Sequence, residues 1–158
     1  MEIPQPNSKH CFVCGLANPL GLKLRFFQSG PGEVTTETVI SEEYQGYPGV
    51  AHGGIVAAIL DEVSGRALME SNPPRFMYTA RLDIRFRKNV PTGKPIKAIG
   101  KEIMKKSRIA KASGKIYDQE GNLLAEAEAL LVNIPDELID PDIIEAEGWQ
   151  VYPSISHD

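Results

Sequence analysis

The stretch 52-HGGIVAAILDEVSGRALME-70 decides how the rest of this chain is read. Ile55, Ile59, Leu60 and Val63 recur at helical spacing, and Ala57 and Ala58 are small enough to let a helix over 52–70 pack closely. Gly53 and Gly54 open it, and Ser71, Asn72, Pro73 and Pro74 end it. It is the one strong internal helix in the sequence.

Working outward, residues 21–27 (GLKLRFF) and 33–40 (EVTTETVI) read as strands, with Gly30, Pro31 and Gly32 as turn material between them. Residues 41–51 carry Gly46, Pro48 and Gly49 and read as a loop. Beyond the helix come strand-like stretches at 76–89, 95–105, 108–117 and 123–133, with turns at 91–93 and 120–122. In 76–89, Leu82, Ile84 and Phe86 alternate with Arg81, Asp83, Arg85 and Arg87, which predicts an outer arginine-rich face turned to solvent or a partner subunit. No helix separates the last four strands, so the sheet is expected to be antiparallel there. One helix can cover one face of such a sheet, which makes the class α+β. Residues 1–20 read as an irregular lead-in, 21–134 as the domain, and 135–158 as an acidic tail with one short helix near 137–147.

At 158 residues, 42% hydrophobic and 24% charged, the chain suits one globular domain. It has no apolar run of membrane-spanning length, and its start lacks the basic and apolar segments of a signal peptide, so a cytoplasmic protein is expected. Residues 81–115 hold 12 Lys or Arg against Asp83 and Glu102, while 116–158 hold 11 Asp or Glu and no Lys or Arg. A cationic middle suits a phosphate-bearing ligand, and the acidic end argues against general nucleic-acid binding.

The chemistry concentrates at the helix start. The first backbone N–H groups of a helix lack internal partners, and glycines let a ligand approach them. A carbonyl attacked there would develop its oxyanion against Gly53 and Gly54. Asp61 interrupts an apolar run seven residues after Gly54, on the same face but about 10 Å away along the axis. One helix cannot offer both groups to one carbonyl. Two antiparallel copies across a twofold axis could, so the spacing favours an interfacial site.

The pattern His52-Gly53-Gly54-x6-Asp61 followed by four long strands resembles the hotdog-fold acyl-CoA thioesterases of the phenylacetate-pathway (PaaI-like) type, over roughly residues 11–134. The lead-in from Cys11 through Cys14, Asn18, Pro19 and Gly21 to Leu22 resembles theirs as well. The resemblance implies a long central helix wrapped by a curled antiparallel sheet of about five to six strands, in a homodimer or a homotetramer built as a dimer of dimers. It implies that Asp61 acts as general base or nucleophile, that Gly53 gives the oxyanion N–H from the facing subunit, and that Thr79 orients water or the carboxylate. Many relatives carry Asn or Gln where this chain has Gly46. Gln45, one place earlier, is the substitute candidate.

Each of these residues also has a plainer reading. Asp61 could be a surface carboxylate, and Glu62 is expected to turn away from the Gly54 face. His52 reads as a helix-entry residue bonding a loop carbonyl, in preference to a proton carrier. Thr79 could be an ordinary strand residue. His10, Cys11 and Cys14 supply three possible zinc ligands where a structural site needs four, so buried thiols in a turn are expected and no metal. Lys105, Lys106 and Arg108 flank a turn and are the candidates for CoA phosphates.

The expected activity is hydrolysis of an acyl-CoA to a carboxylic acid and free CoA, without a cofactor. The alternatives are a hotdog enoyl-CoA hydratase or dehydratase, which would use His52, and a non-catalytic acyl-CoA-binding module. Phe26, Phe27, Tyr44, Tyr47, Phe76 and Tyr78 offer aromatic walls for the acyl group.

Overall fold

The computed structural model describes residues 1–70 and 74–154. Ser71, Asn72 and Pro73, expected to end the helix, lie outside the described residues, as do the last four of the tail. In chain order the elements are β1 (Ile3–Pro4), β2 (Phe27–Gly30), β3 (Glu33–Val39), β4 (Gln45–Tyr47), β5 (Val50–Ala51), α1 (Gly53–Arg66), β6 (Met77–Phe86), β7 (Pro95–Lys105), β8 (Ile109–Tyr117), β9 (Leu123–Asn133) and α2 (Pro141–Ala146). Seven strands form one antiparallel sheet in the order β1-β2-β3-β7-β8-β9-β6, curled around α1 in the hotdog arrangement. β4 and β5 pair as a small hairpin within the expected 41–51 loop.

The sheet has more strands than expected because the lead-in supplies β1, two residues too short to carry a period. The expected strand at 21–27 is instead coil up to Phe26. Lys23 is in the left-handed region at φ 53°, which breaks a ladder, and Leu22 and Leu24 donate their N–H groups to Phe12 and Val13 of the lead-in. α1 stops at Arg66, short of Glu70. The chain then tightens into bonds from Ala67, Leu68 and Met69 to residues three back.

The apolar stripe of α1 is Val56, Ile59, Leu60 and Val63, all at most 1% exposed, with Ile55 half-buried at its margin. Beneath it, β7, β8 and β9 present small residues, including Ala98, Ala110, Ala112 and Ala129. Gly100 and Gly114 face each other across β7 and β8 directly under the helix. A Cβ on Gly100 would lie 1.9 Å from the Val63 carbonyl oxygen, and one on Gly114 would lie 2.8 Å from Ser64 Oγ. The helix backbone therefore rests on the sheet at these two points.

β6 is an edge strand with one open hydrogen-bonding side. It carries a β-bulge at Ala80: Thr79 pairs with Leu131 and Arg81 with Leu130, so three steps from Thr79 to Leu82 face two on β9. The extra residue flips the alternation. Leu82 and Ile84 face inward as expected, and so do Met77 and Thr79. Phe86 departs from the expected pattern: it is 57% exposed and lies over Gly53.

The lead-in and the tail bind each other. Asn7 and Gln150 exchange backbone hydrogen bonds, and Lys9 donates to the Glu147 carbonyl. The buried Asn7 side chain also donates to the carbonyls of Cys14 and Leu24 at 2.8 Å each. α2 lies within the expected 137–147. Strand pairing offsets part of the charge asymmetry of the sequence. Lys97 and Lys101 on β7 meet Glu37 and Glu33 on β3, Lys111 on β8 meets Glu128 on β9, and Arg87 meets Glu126.

Candidate active site

His52 caps α1. Its Nδ1 accepts a hydrogen bond from the Gly54 N–H at 2.9 Å, in place of the expected bond to a loop carbonyl. One of the two expected oxyanion donors is thus engaged. The Gly53 N–H has no protein acceptor among the described residues. Gly53 opens onto a hollow of about 390 Å³ shared with Gly46, Tyr47, His52, Phe86 and Arg87. Gly46 packs on His52, and a Cβ there would stand 3.3 Å from His52 Cα, so an Asn or Gln at this place would push the loop outward. Gln45 lies beside it on β4 with an exposed side chain.

Asp61 is half-buried and accepts a hydrogen bond from Thr79 Oγ1 at 2.5 Å. The two meet because the Ala80 bulge turns Thr79 toward α1. They line a second hollow, of about 220 Å³, with Cys11, Glu62, Arg66 and Trp149. This hollow shares no lining residue with the one at Gly53. Within one chain, then, the carboxylate and the helix N-terminus face different spaces, near the two ends of β6.

Glu62 does not turn away from the cavity. Its carboxylate is 19% exposed, pairs with Arg66 Nε at 3.0 Å, and approaches Cys11 Sγ at 3.9 Å. Burial raises its pKa to about 7, although the Arg66 charge pulls the other way. Arg66 is 1% exposed. It donates to the Pro6 carbonyl and stacks on Phe26 and Trp149, with ring centroids 4.7 and 5.4 Å away. The Cys14 thiol is pushed down, first by the hydrogen bond from Cys11 and then by the Arg66 charge, while Cys11 is pushed up. His10, the third expected zinc candidate, points elsewhere and contacts Glu147 at 3.2 Å.

Lys105, Lys106 and Arg108 are exposed around the β7–β8 turn, away from any ion pair among the described residues. Arg75, which lines the Asp61 cavity, donates to the carbonyls of Lys106 and Ser107 and so joins this basic turn to the cavity rim. The sequence reading missed Arg75, Arg66 and the inward role of Glu62. An arginine inside an otherwise apolar helical stripe was the available signal for Arg66.

Comparison with known proteins agrees with the fold. The family model described as "Thioesterase superfamily" matches residues 48–125. No curated protein matches the chain significantly. Among solved structures, a thioesterase superfamily protein superposes with a TM-score of 0.71 at 29% identity, over 78% of this chain and 63% of that one. The present chain therefore spans under two thirds of that relative's length. The Escherichia coli PaaI protein from the phenylacetic acid degradation operon gives 0.65 at 13% identity, over 72% and 81% of the two chains. A hypothetical thioesterase with coenzyme A from Streptococcus pneumoniae gives 0.64 at 19%, over 70% and 85%. At these lower identities the likeness is one of fold.

Proposed function

We propose, from the match of residues 48–125 to the thioesterase superfamily model, that the chain is a thioesterase of that superfamily and hydrolyses an acyl-CoA thioester to a carboxylic acid and free CoA at a site shared by two subunits. The observation that carries this reading is the Thr79–Asp61 hydrogen bond in a cavity at one end of an unpaired edge strand, with the Gly53 N–H at the other end. Antiparallel pairing of two β6 edges about a twofold axis brings the Asp61 cavity of one copy to the Gly53 hollow of the other. Asp61 then activates water or attacks the carbonyl carbon itself. Thr79 holds the carboxylate in place, and the Gly53 N–H of the facing copy receives the negative charge that builds on the carbonyl oxygen. Lys105, Lys106 and Arg108, joined to the rim through Arg75, are the proposed contacts for CoA phosphates. His52 Nδ1 caps the helix, which supports hydrolysis over the hydratase reading. Among the described residues no helix is long and apolar enough to cross a membrane. Two free cysteines suit a reducing compartment such as the cytoplasm.

The test is free-thiol release from a panel of aromatic and aliphatic acyl-CoAs. Wild type should turn over part of the panel. Asp61→Ala should lose at least about 1,000-fold in kcat while remaining folded and oligomeric. No turnover of any acyl-CoA by wild type would overturn the assignment.

A further inference from the structure

Outside the acid and the helix start, one cluster stands out. Cys11 Sγ, Cys14 Sγ and a Glu62 carboxylate oxygen lie within 4.8 Å of one another. Cys14 is fully buried, and Cys11 and Glu62 are partly buried. The cluster joins the lead-in to α1 one residue beyond Asp61. Its elements are built toward it. The turn that sets the two sulfurs side by side depends on Gly15, where a Cβ would lie 2.3 Å from the Cys11 carbonyl oxygen. Cys11 Sγ accepts N–H groups from Val13 at 3.4 Å and Cys14 at 3.5 Å, and Ser8 Oγ is 3.5 Å from Cys14 Sγ. Arg66 Nε holds Glu62 Oε1 and leaves Oε2 facing the sulfurs.

We propose that Cys11, Cys14 and Glu62 form a three-ligand binding site for zinc(II) in the wall of the Asp61 cavity. Two thiolates and a carboxylate suit zinc better than a harder cation. At ordinary zinc bond lengths, tetrahedral neighbours stand about 3.8 Å apart for two sulfurs and about 3.5 Å for sulfur and oxygen. The 3.9 Å between Cys11 Sγ and Glu62 Oε2 therefore closes with a shift of a few tenths of an ångström. Arg66 orients the carboxylate from behind, as outer-shell partners of metal ligands do. The fourth position opens into the cavity that Cys11 and Glu62 both line, where water can occupy it. The missing ligand of the C-x-x-C is thus Glu62, from a helix far along the chain, and not the adjacent His10. The site ties the irregular lead-in to the element that carries Asp61, so metal binding stabilises the fold.

The experiment uses the untagged full chain under a phosphine reductant, stripped with a chelator and titrated with zinc(II) and with cobalt(II). The expected result is saturable binding at about one ion per chain, a raised melting temperature, and thiolate-to-cobalt charge-transfer absorption with tetrahedral d–d bands. Cys11→Ser and Cys14→Ser should each weaken binding more than about 100-fold and reduce the charge-transfer band, and Glu62→Gln should weaken it at least about 10-fold. Asp61→Ala should bind as wild type does, so the site stands or falls separately from the hydrolytic reading. Circular dichroism checks that each variant is folded. Absence of binding by folded wild type would overturn the proposal, as would binding unchanged in the cysteine variants or in Glu62→Gln.

Discussion

Thr79 Oγ1 reaches Asp61 Oδ1 at 2.5 Å only because a β-bulge at Ala80 places Thr79 on the inner face of its strand. With plain alternation, Leu82 and Ile84 pointing inward would have put Thr79 on the outside. The bulge thus couples an edge strand to the helix that carries the carboxylate. A hydrogen bond to a charged group contributes about 1.5–3 kcal/mol. Thr79→Val should therefore lower kcat about 10- to 100-fold with little change in KM, and Thr79→Ser should recover most of the loss. Steady-state kinetics on the best acyl-CoA read this directly.

Gly53 stands first in α1, where proline is well tolerated and its missing N–H costs the helix nothing. Gly53→Pro removes the proposed oxyanion donor alone. Its kcat should fall about 100- to 1,000-fold, with the fold intact by circular dichroism. If the site spans two subunits, mixing inactive Gly53→Pro and Asp61→Ala chains after reversible dissociation should restore activity, because a mixed pair contains one site with both groups. A mixture that exchanges subunits and stays inactive would place both groups in one chain.

The contact of α1 with the sheet at Gly100 leaves no room for a methyl group, since the obstacle is the backbone carbonyl of Val63. Gly100→Ala should destabilise the protein by about 3 kcal/mol or more, seen in urea unfolding. Gly30 has open space around its Cβ position. Gly30→Ala should unfold close to the wild-type midpoint, which separates a packing effect from a general effect of replacing glycine in a strand.

Asp118 organises the turn between β8 and β9. Its carboxylate accepts from the N–H groups of Glu120 and Asn122 at 3.0 and 2.8 Å, and from the Asn122 side chain at 2.9 Å. Chiefly because of the Asn122 side chain, its pKa lies below the ordinary 3.8. A depressed folded-state pKa contributes stability that is present above the unfolded value and lost as the pH falls through the folded one. Asp118→Ala should melt below wild type at pH 7, and the gap should close as the pH falls from about 5 toward 2. A gap unchanged across that range would assign the effect to something other than the charge.

Much of the fold was legible because its signals are local. The ends of β7 and β9 fall where alternation and turn residues put them, at Pro95–Lys105 and Leu123–Asn133. The helix start at Gly53 follows from the glycine pair and the apolar period behind it. Errors arose where a distant segment overrode local preference. Residues 21–26 alternate like a strand, yet they bond to Phe12 and Val13. In the basic middle of the chain, strand order sets Arg87, Lys97, Lys101 and Lys111 beside glutamates from β3 and β9 and leaves Lys105, Lys106 and Arg108 outside the ion pairs of the described residues, a division that sequence does not show.

The candidate site divides along the same line. Asp61, Gly53 and Thr79 could be named from spacing and resemblance, because a helix start and a carboxylate at a fixed distance along that helix are properties of consecutive residues. That Thr79 meets Asp61, that His52 occupies the Gly54 N–H, and that Glu62 turns inward to Arg66 and Cys11 were decided by tertiary structure. A single bulge can reverse which face a residue occupies, and a hydrogen-bond acceptor or a partner for a buried charge can come from any segment that packing brings near. Sequence by itself determined the elements and the residue types offered to the site; only the packed chain decided which of those groups touch.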